Sequence, residues 1–262
     1  MEPVICIDPL FPGKNDEEKI KITAESGFRF IEFWDWHSRD IEKLKTACRK
    51  HNVEIANFNG HRKGSLTCME THQDFLDDLS DAVKTAGKLG CTSLMLLSDA
   101  LDSRGQVADL HNEIPASVKY SNSVKALKKA DAAVPAGINL LLEPLNTLID
   151  HPGNFLNDME TAISIVTEAG SARIKVLCDL YHLGIMGFNP SDIVKKYLPH
   201  IGYFHIADYP GRHEPGTGKA DWQEVLRLIR GSGYKGFVGF EFFPLADGKE
   251  ALRRIRQLWE SL

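Results

Sequence analysis

The chain has 262 residues, of which 43% are hydrophobic and 26% are charged, with a formal net charge of −5 and a pI near 6.1. This balance is typical of a globular protein with a substantial core, and it excludes an intrinsically disordered chain. The negative charge and the scattered Lys and Arg residues argue against a nucleic-acid partner, because phosphate backbones are bound by basic surfaces.

The N-terminus and the cysteines bear on the cell compartment. No apolar stretch approaches the ~20 residues of a membrane span, and MEPVICIDPLF lacks the basic and apolar regions of a signal peptide. The cysteines form no CxxC pair, and three of them lie in or beside apolar runs, as buried reduced thiols do. We therefore expect a cytoplasmic protein without membrane association, in which the cysteines are reduced. The cysteines are Cys6, Cys48, Cys68, Cys91 and Cys178.

Strands and helices are predicted to alternate along the whole chain. The first unit is a strand, VICI at 4–7, followed by a polar helix-forming segment at 15–27. Further strands are predicted at 28–33, 53–58, 92–97, 138–143, 174–179, 201–206 and 237–242. The remaining helices are predicted at 39–51, 71–89, 113–134, 155–169, 190–198, 221–231 and 247–260.

This alternation predicts one domain, residues 1–262, folded as a parallel eight-stranded (β/α)8 TIM barrel. Most strands are nearly continuous in apolar residues, as expected where both faces of a parallel sheet are covered. A doubly wound open sheet is the alternative, and the lack of a GxGxxG motif after the first strand disfavours it. Two long loops, 59–72 and 207–222, follow strand ends and are predicted to cover the barrel mouth.

Four apolar runs in the second half of the chain, INLLLE, IKVLCD, GYFH and FVGFE, each end in a residue that can bind a metal. The residues are spaced 36, 26 and 36 positions apart, enough for a loop, a helix and the next strand. One such residue alone is as easily a helix cap or a solvated loop residue. Because the carboxyl ends of parallel strands meet at the barrel mouth, the four together predict a single site. They are Glu143, Asp179, His205 and Glu241.

Three carboxylates and one imidazole favour a divalent hard cation, Mg²⁺, Mn²⁺ or Co²⁺, over zinc. An ion with four protein ligands keeps about two positions for adjacent oxygens of a hydroxy-carbonyl compound. Chelation acidifies the proton between those oxygens, so a carboxylate can remove it and leave an enediolate. Glu143 and Glu241 are the candidate acid/base pair, which predicts an isomerase or an epimerase.

Other polar residues at the predicted mouth are candidates for substrate binding. His182 leaves the same strand end as Asp179, although it could be a packing histidine at a helix start. Arg212 could pair with a substrate carboxylate or a hydroxyl. His61 and Arg62 are candidates for the far end of the substrate, or solvated loop residues. Glu32, at the end of the second strand, could orient a member of the ligand shell or merely meet water. Trp34 and Trp36 could form a wall of the pocket or pack in the core.

The sequence resembles the xylose isomerase-like barrel superfamily of sugar isomerases and epimerases, and within it the hydroxypyruvate isomerases. The matching segments are LLEPLNT, PGNFL, CDLYHLGIM, HIADYPGRHEPGTGK and FVGFEF, with SGFRFIEF and NFNGHRKG in the first half. The resemblance implies a cation on the four strand-end residues and proton transfer by Glu143 and Glu241. It also implies substrate contacts from His182 and Arg212 and a possible homo-oligomer.

Two departures leave the substrate open. Hydroxypyruvate isomerases often carry glutamine at the position of His205 and acidic residues where this chain has Lys219. A histidine at position 205 is more similar to the pattern of the ketose 3-epimerases. The PGRHEPGTG loop favours the isomerases, which include enzymes for four-carbon oxo-acids. The predicted substrate is a small molecule, hydroxypyruvate or a related oxo-acid, with a free ketose as the alternative.

Two further classes are disfavoured. An endonuclease IV type of barrel needs more histidine ligands and a basic surface than this chain offers. A barrel that merely binds a sugar has no need of two carboxylates placed for proton transfer.

Overall fold

Eight parallel strands form a closed barrel in the computed structural model, which describes all residues from Met1 to Leu262. Each strand pairs with its neighbours in sequence, and the last pairs with the first. This confirms the predicted (β/α)8 fold. The strands are β1 (Glu2–Cys6), β2 (Phe30–Phe33), β3 (Glu54–Asn59), β4 (Ser93–Leu97), β5 (Asn139–Glu143), β6 (Ile174–Asp179), β7 (Ile201–Ile206) and β8 (Phe237–Phe240).

The helices surround the barrel, and two of them begin three or four residues later than predicted. One starts at Ala116, after the extended Pro115, and another at Met159, because the Asp158 side chain caps it by accepting from Thr161 N. A short helix after β6 was not predicted separately. The helices are α1 (Asp16–Glu25), α2 (Ile41–His51), α3 (His72–Leu89), α4 (Ala116–Ala133), α5 (Met159–Ala169), α6 (Leu180–Ile185), α7 (Pro190–Tyr197), α8 (Trp222–Gly231) and α9 (Gly248–Glu260).

The core has two parts. A cluster of 57 buried residues packs the barrel against its helices. A smaller cluster of six includes Leu141, Leu177 and Tyr203 from three adjacent strands. Alternate residues of a strand face the same side, so the residues two positions further on share the orientation of these three. The strand pattern itself therefore brings Glu143, Asp179 and His205 to one end of the barrel.

Long segments follow several strands at the barrel mouth. The predicted loops at 59–72 and 207–222 are present, and segments 98–115 after β4 and 144–158 after β5 add to them. All five cysteines are free and buried. No helix combines the length and the apolar composition that a membrane crossing requires.

Candidate metal and catalytic site

The structure brings the four predicted ligand residues together. Glu143, Asp179, His205 and Glu241 are all buried, and one ligand atom from each lies within 4.8 Å of those of the others. The first three come from β5, β6 and β7, and Glu241 directly follows β8. Four adjacent strands thus supply three carboxylates and one imidazole to a single point.

Two atoms of this cluster are buried and have no hydrogen-bond partner. They are Glu143 Oε1 and His205 Nδ1. Leaving such atoms unpaired is costly, because burial removes the water that would otherwise bind them. Three buried carboxylates are offset by one guanidinium, that of Arg212, whose Nη2 lies 2.8 Å from Glu241 Oε1 and 3.5 Å from Asp179 Oδ2. The donor atoms and the residual negative charge fit a divalent cation.

Glu32 orients His205. Glu32 Oε2 lies 3.2 Å from His205 Nε2 and accepts a 2.6 Å hydrogen bond from the Tyr203 hydroxyl. Because Nε2 faces Glu32, Nδ1 is the nitrogen directed at the carboxylates, 2.9 Å from Glu241 Oε2, and it is the atom that could bind a cation. Gly239 makes room for this pair, because a Cβ there would lie 2.4 Å from Glu32 Oε1 and 2.7 Å from His205 Cδ2.

Two donors fix the Glu241 carboxylate. Besides the Arg212 contact, Trp34 Nε1 donates a 2.6 Å hydrogen bond to Oε1. The Arg212 guanidinium also lies over the Tyr181 ring, 5.0 Å from its centroid. Trp34 is therefore more than an aromatic wall, since its ring N–H holds one of the proposed catalytic groups.

His182 has a defined tautomer. Asn146 Oδ1 accepts from the backbone N–H groups of Ile149 and Asp150, so its Nδ2 is the group that faces His182 Nδ1 at 2.6 Å. An amide nitrogen donates, which makes Nδ1 the acceptor and places the ring proton on Nε2. That nitrogen lies 3.4 Å from Asp179 Oδ2.

Burial and charge shift the pKa values of the cluster in different directions. Burial raises the pKa of Glu143 to about 7 and that of Asp179 to about 6. Burial also acts to raise the pKa of Glu241, but Arg212 and His205 outweigh it and lower the pKa. For His205, burial is outweighed by Glu32 and Glu241, which raise the pKa above its usual value.

The cluster opens into a cavity of about 450 Å³, within the range of small-molecule sites. His182, Arg212 and Arg62 line it, whereas His61 does not. Both ring nitrogens of His61 face backbone carbonyls, Nε2 that of Leu97 at 3.1 Å and Nδ1 that of Lys63 at 3.3 Å. The structure thus does not bring His61 to the cavity wall.

Several cavity residues were missed from the sequence. Except for Asn59 at the end of β3, they belong to the segments after β4 and β5, and periodicity carries no signal for contacts between irregular segments. An acidic and amide-rich stretch, NTLID at 146–150, was the available hint. The missed residues are Asn59, Asp102, Arg104, Gln106, Asp150 and His151, together with Asn146 behind the wall.

Comparison with known proteins gives relatives over nearly the whole chain. The protein-family model described as "Xylose isomerase-like TIM barrel" matches residues 20–258 of this chain. The hydroxypyruvate isomerase of Escherichia coli K12 is 28% identical over 237 residues, covering 88% of each chain. The 2-oxo-tetronate isomerase of Cupriavidus necator is 26% identical over 242 residues, covering 90% of each chain.

Solved structures share the fold. A Brucella melitensis protein described as an AP endonuclease of family 2 superposes with a TM-score of 0.88 at 24% identity, covering 98% of this chain and 99% of that one. The D-psicose 3-epimerase of Clostridium cellulolyticum H10 gives a TM-score of 0.80 at 17% identity, covering 100% and 98%. At these identities the likeness concerns the barrel and not its chemistry.

Proposed function

Since this chain belongs to the xylose isomerase-like TIM barrel family, we propose that it is a cation-dependent isomerase of hydroxypyruvate or of a closely related small hydroxy-oxo-acid. Relatives named as isomerases match 88% and 90% of its length, and the isomerase class follows from them. Beyond the isomerase class, we propose the substrate, the roles of the residues and the need for a cation.

One observation carries the proposal. Glu143 and Glu241 both line the cavity, and both belong to the group of donor atoms that lie within 4.8 Å of one another. They come from β5 and from the end of β8, with β6 and β7 between them. A substrate carbon seated beside the cluster would therefore meet a carboxylate from each side.

The proposed reaction moves one proton between neighbouring carbons. One carboxylate of the pair takes a proton from the hydroxymethyl carbon of hydroxypyruvate, and the electron pair left behind gives an enediolate. The proton of the hydroxyl group moves to the former carbonyl oxygen. A carboxylic acid of the pair then returns a proton to the carbon that carried this oxygen. The product is tartronate semialdehyde, with no atoms gained or lost.

The surrounding residues prepare the two carboxylates for this role. Trp34 and Arg212 hold Glu241 through Oε1, whereas Glu143 Oε1 has no hydrogen bond. His182, with its ring proton on Nε2, stands beside the cluster and can donate to a substrate oxygen. A divalent cation held by Glu143, Asp179, His205 and Glu241 would act as the Lewis acid that polarises the substrate oxygens.

A ketose 3-epimerase is the second candidate. The cavity of about 450 Å³ has room for a sugar longer than three carbons. The same two carboxylates would then act on opposite faces of one carbon. The fold shared with the D-psicose 3-epimerase is compatible with this activity but is no evidence for the substrate.

Substrate turnover tests the proposal. The protein is stripped with a chelator and incubated with hydroxypyruvate, with a four-carbon 2-oxo-acid, or with fructose and tagatose, each with and without Mn²⁺. We expect cation-dependent conversion of an acid and no change in the ketoses. Conversion of a ketose with no conversion of either acid would replace the isomerase with the epimerase.

A further inference from the structure

We propose that Arg62 binds the carboxylate of the substrate and thereby gives the enzyme its preference for acids over neutral sugars. This inference rests on the proposed function and names the residue that would set its specificity. The segment that carries Arg62 follows β3, in the half of the barrel opposite to the cluster.

Three arginines line the cavity, and two of them are already paired. Arg212 contacts the carboxylates of Glu241 and Asp179. Arg104 contacts Asp102 at 3.0 Å, and its side chain is 80% exposed. The Arg62 guanidinium has no carboxylate within 4.0 Å, and its one hydrogen bond is a long one, 3.4 Å from Nη2 to the carbonyl of Asp102. Arg62 is therefore the cavity arginine whose charge is free for an anion.

The backbone of Arg62 is held firmly although its side chain is not. The buried Asp78 carboxylate accepts hydrogen bonds from Arg62 N at 2.7 Å and from Lys63 N at 3.2 Å. At Gly64, two residues after Arg62, a Cβ would lie 2.4 Å from Phe75 N, so the segment packs closely on α3. These contacts with α3 fix where the side chain starts, and the long arginine stem leaves its head free to adjust.

The position of the reacting carbons decides how an acid would be oriented. The hydroxy-carbonyl end of the substrate must reach Glu143 and Glu241 for proton transfer, because these are the proposed acid/base groups. The carboxylate at the other end of the substrate therefore points away from them. Arg62 lines the same cavity from the segment after β3, and its planar guanidinium can bind both carboxylate oxygens.

This assignment moves the carboxylate contact away from Arg212, which the sequence had made the candidate. Because Arg212 is 12% exposed and already neutralises Glu241, recruiting it to the substrate would deprive a buried carboxylate of its guanidinium partner and leave Trp34 as the donor to Oε1. Arg212 is instead assigned to holding Glu241.

The test compares two substrates that differ in one group. Hydroxypyruvate and dihydroxyacetone share the hydroxymethyl ketone. Where hydroxypyruvate has a carboxylate, dihydroxyacetone has a second hydroxymethyl group. Arg62→Met keeps the length of the stem and removes the charge. For the Mn²⁺-loaded variant we expect KM for hydroxypyruvate to rise roughly 10- to 100-fold, as the loss of a charged hydrogen-bonded pair implies. We expect kcat/KM for dihydroxyacetone to stay within about 3-fold.

Lys63→Met is the matched control, since it removes one positive charge from the neighbouring residue, which is exposed and does not line the cavity. Both kinetic constants should stay near those of the unmodified enzyme. A similar loss for the two substrates in Arg62→Met, or no loss for either, would overturn the proposal.

A binding measurement separates this inference from the proposed function. D-glycerate keeps the carboxylate but has no ketone, so calorimetric titration of the Mn²⁺ enzyme does not depend on turnover. A weaker Kd in Arg62→Met, partly recovered in Arg62→Lys, supports the anchor even if hydroxypyruvate is not converted. Equal affinity in Arg62→Met and the unmodified protein, or no binding to either, rejects it.

Discussion

Glu241 is the most constrained side chain of the candidate site, and Trp34 contributes to that constraint across 207 positions of sequence. Trp34→Phe removes the ring N–H and keeps most of the aromatic surface. We expect kcat to fall roughly 10-fold, because a hydrogen bond to a charged group contributes about 1.5–3 kcal/mol. Steady-state kinetics with the converted substrate, at saturating Mn²⁺, measures the effect.

Trp36→Phe is the control for this experiment. The Trp36 ring N–H is buried but has no hydrogen-bond partner, so its removal costs no hydrogen bond. We expect unchanged kcat and unchanged or slightly higher thermal stability. If the two variants behaved alike, the Trp34 contact to Glu241 would have no catalytic role.

The tautomer of His182 depends on one amide. In Asn146→Asp the backbone donors still hold one carboxylate oxygen, but the other oxygen replaces a donor with an acceptor opposite His182 Nδ1. We expect the ring proton to move from Nε2 to Nδ1, with about a 10-fold loss of kcat/KM. Nitrogen-15 NMR of the histidine side chains reads the tautomer directly. A proton already on Nδ1 in the unmodified protein would contradict this assignment.

At the scale of elements, one buried carboxylate organises the loop that carries Arg212. Asp208 Oδ2 accepts from Gly216 N at 2.9 Å and Gly218 N at 2.8 Å, and Oδ1 accepts from Tyr209 N at 2.9 Å. Asp208→Ala leaves these donors unpaired. We expect kcat/KM to fall roughly 100-fold through misplacement of Arg212, and proteolysis within 209–219 to become faster.

Asp221→Ala gives the matched comparison at the end of the same loop. Asp221 caps α8 by accepting from Glu224 N, away from the site. Its loss should lower the free energy of unfolding by about 1 kcal/mol and leave kcat/KM intact. An Asp208→Ala enzyme with normal kcat/KM would show that the loop keeps its conformation without this carboxylate.

The elements of this fold could be predicted because periodic patterns specify them. Apolar strands and amphipathic helices alternate, and the ligand candidates at or next to the carboxyl ends of β5, β6 and β7 converge through the geometry of the barrel. The beginnings of α4 and α5 were less accessible. They depend on Pro115 and on the cap at Asp158, which lie inside polar stretches that also suit a helix.

The residues that hold the ligand candidates and His182 in place could be predicted less well. Glu32 was expected to orient a ligand residue, and the structure places it beside His205. The contacts from Asn146 to His182 and from Trp34 to Glu241 join irregular or distant segments, so no spacing in the sequence encodes them. His61 shows the reverse, since a polar residue at a strand end packs against backbone carbonyls outside the cavity.

At the scale of the whole molecule, the metal-free site makes stability depend on pH. Burial raises the pKa of Glu143 to about 7 and of Asp179 to about 6. Groups with raised pKa contribute stability that is complete below their unfolded pKa, near pH 4, and is lost as pH rises through their folded pKa. A cation binds the ionised carboxylates, so it should recover more stability at higher pH.

We therefore expect the increase in Tm on adding Mn²⁺ to grow between about pH 5 and pH 8. Thermal unfolding with Mn²⁺ or with EDTA, at each pH, measures this increase. In Glu143→Gln the growth with pH should be smaller, because one titrating carboxyl has been removed. An increase in Tm that is the same at every pH would mean that the cation does not displace protons from the cluster.

The most direct measurement is proton NMR of the metal-stripped protein with hydroxypyruvate in D₂O, before and after adding Mn²⁺. We expect an aldehyde signal that needs the cation, with loss of roughly 100-fold or more in rate in both Glu143→Gln and Glu241→Gln. Equal conversion without a cation, or conversion that survives in either variant, would contradict proton transfer by these two glutamates at a cation site.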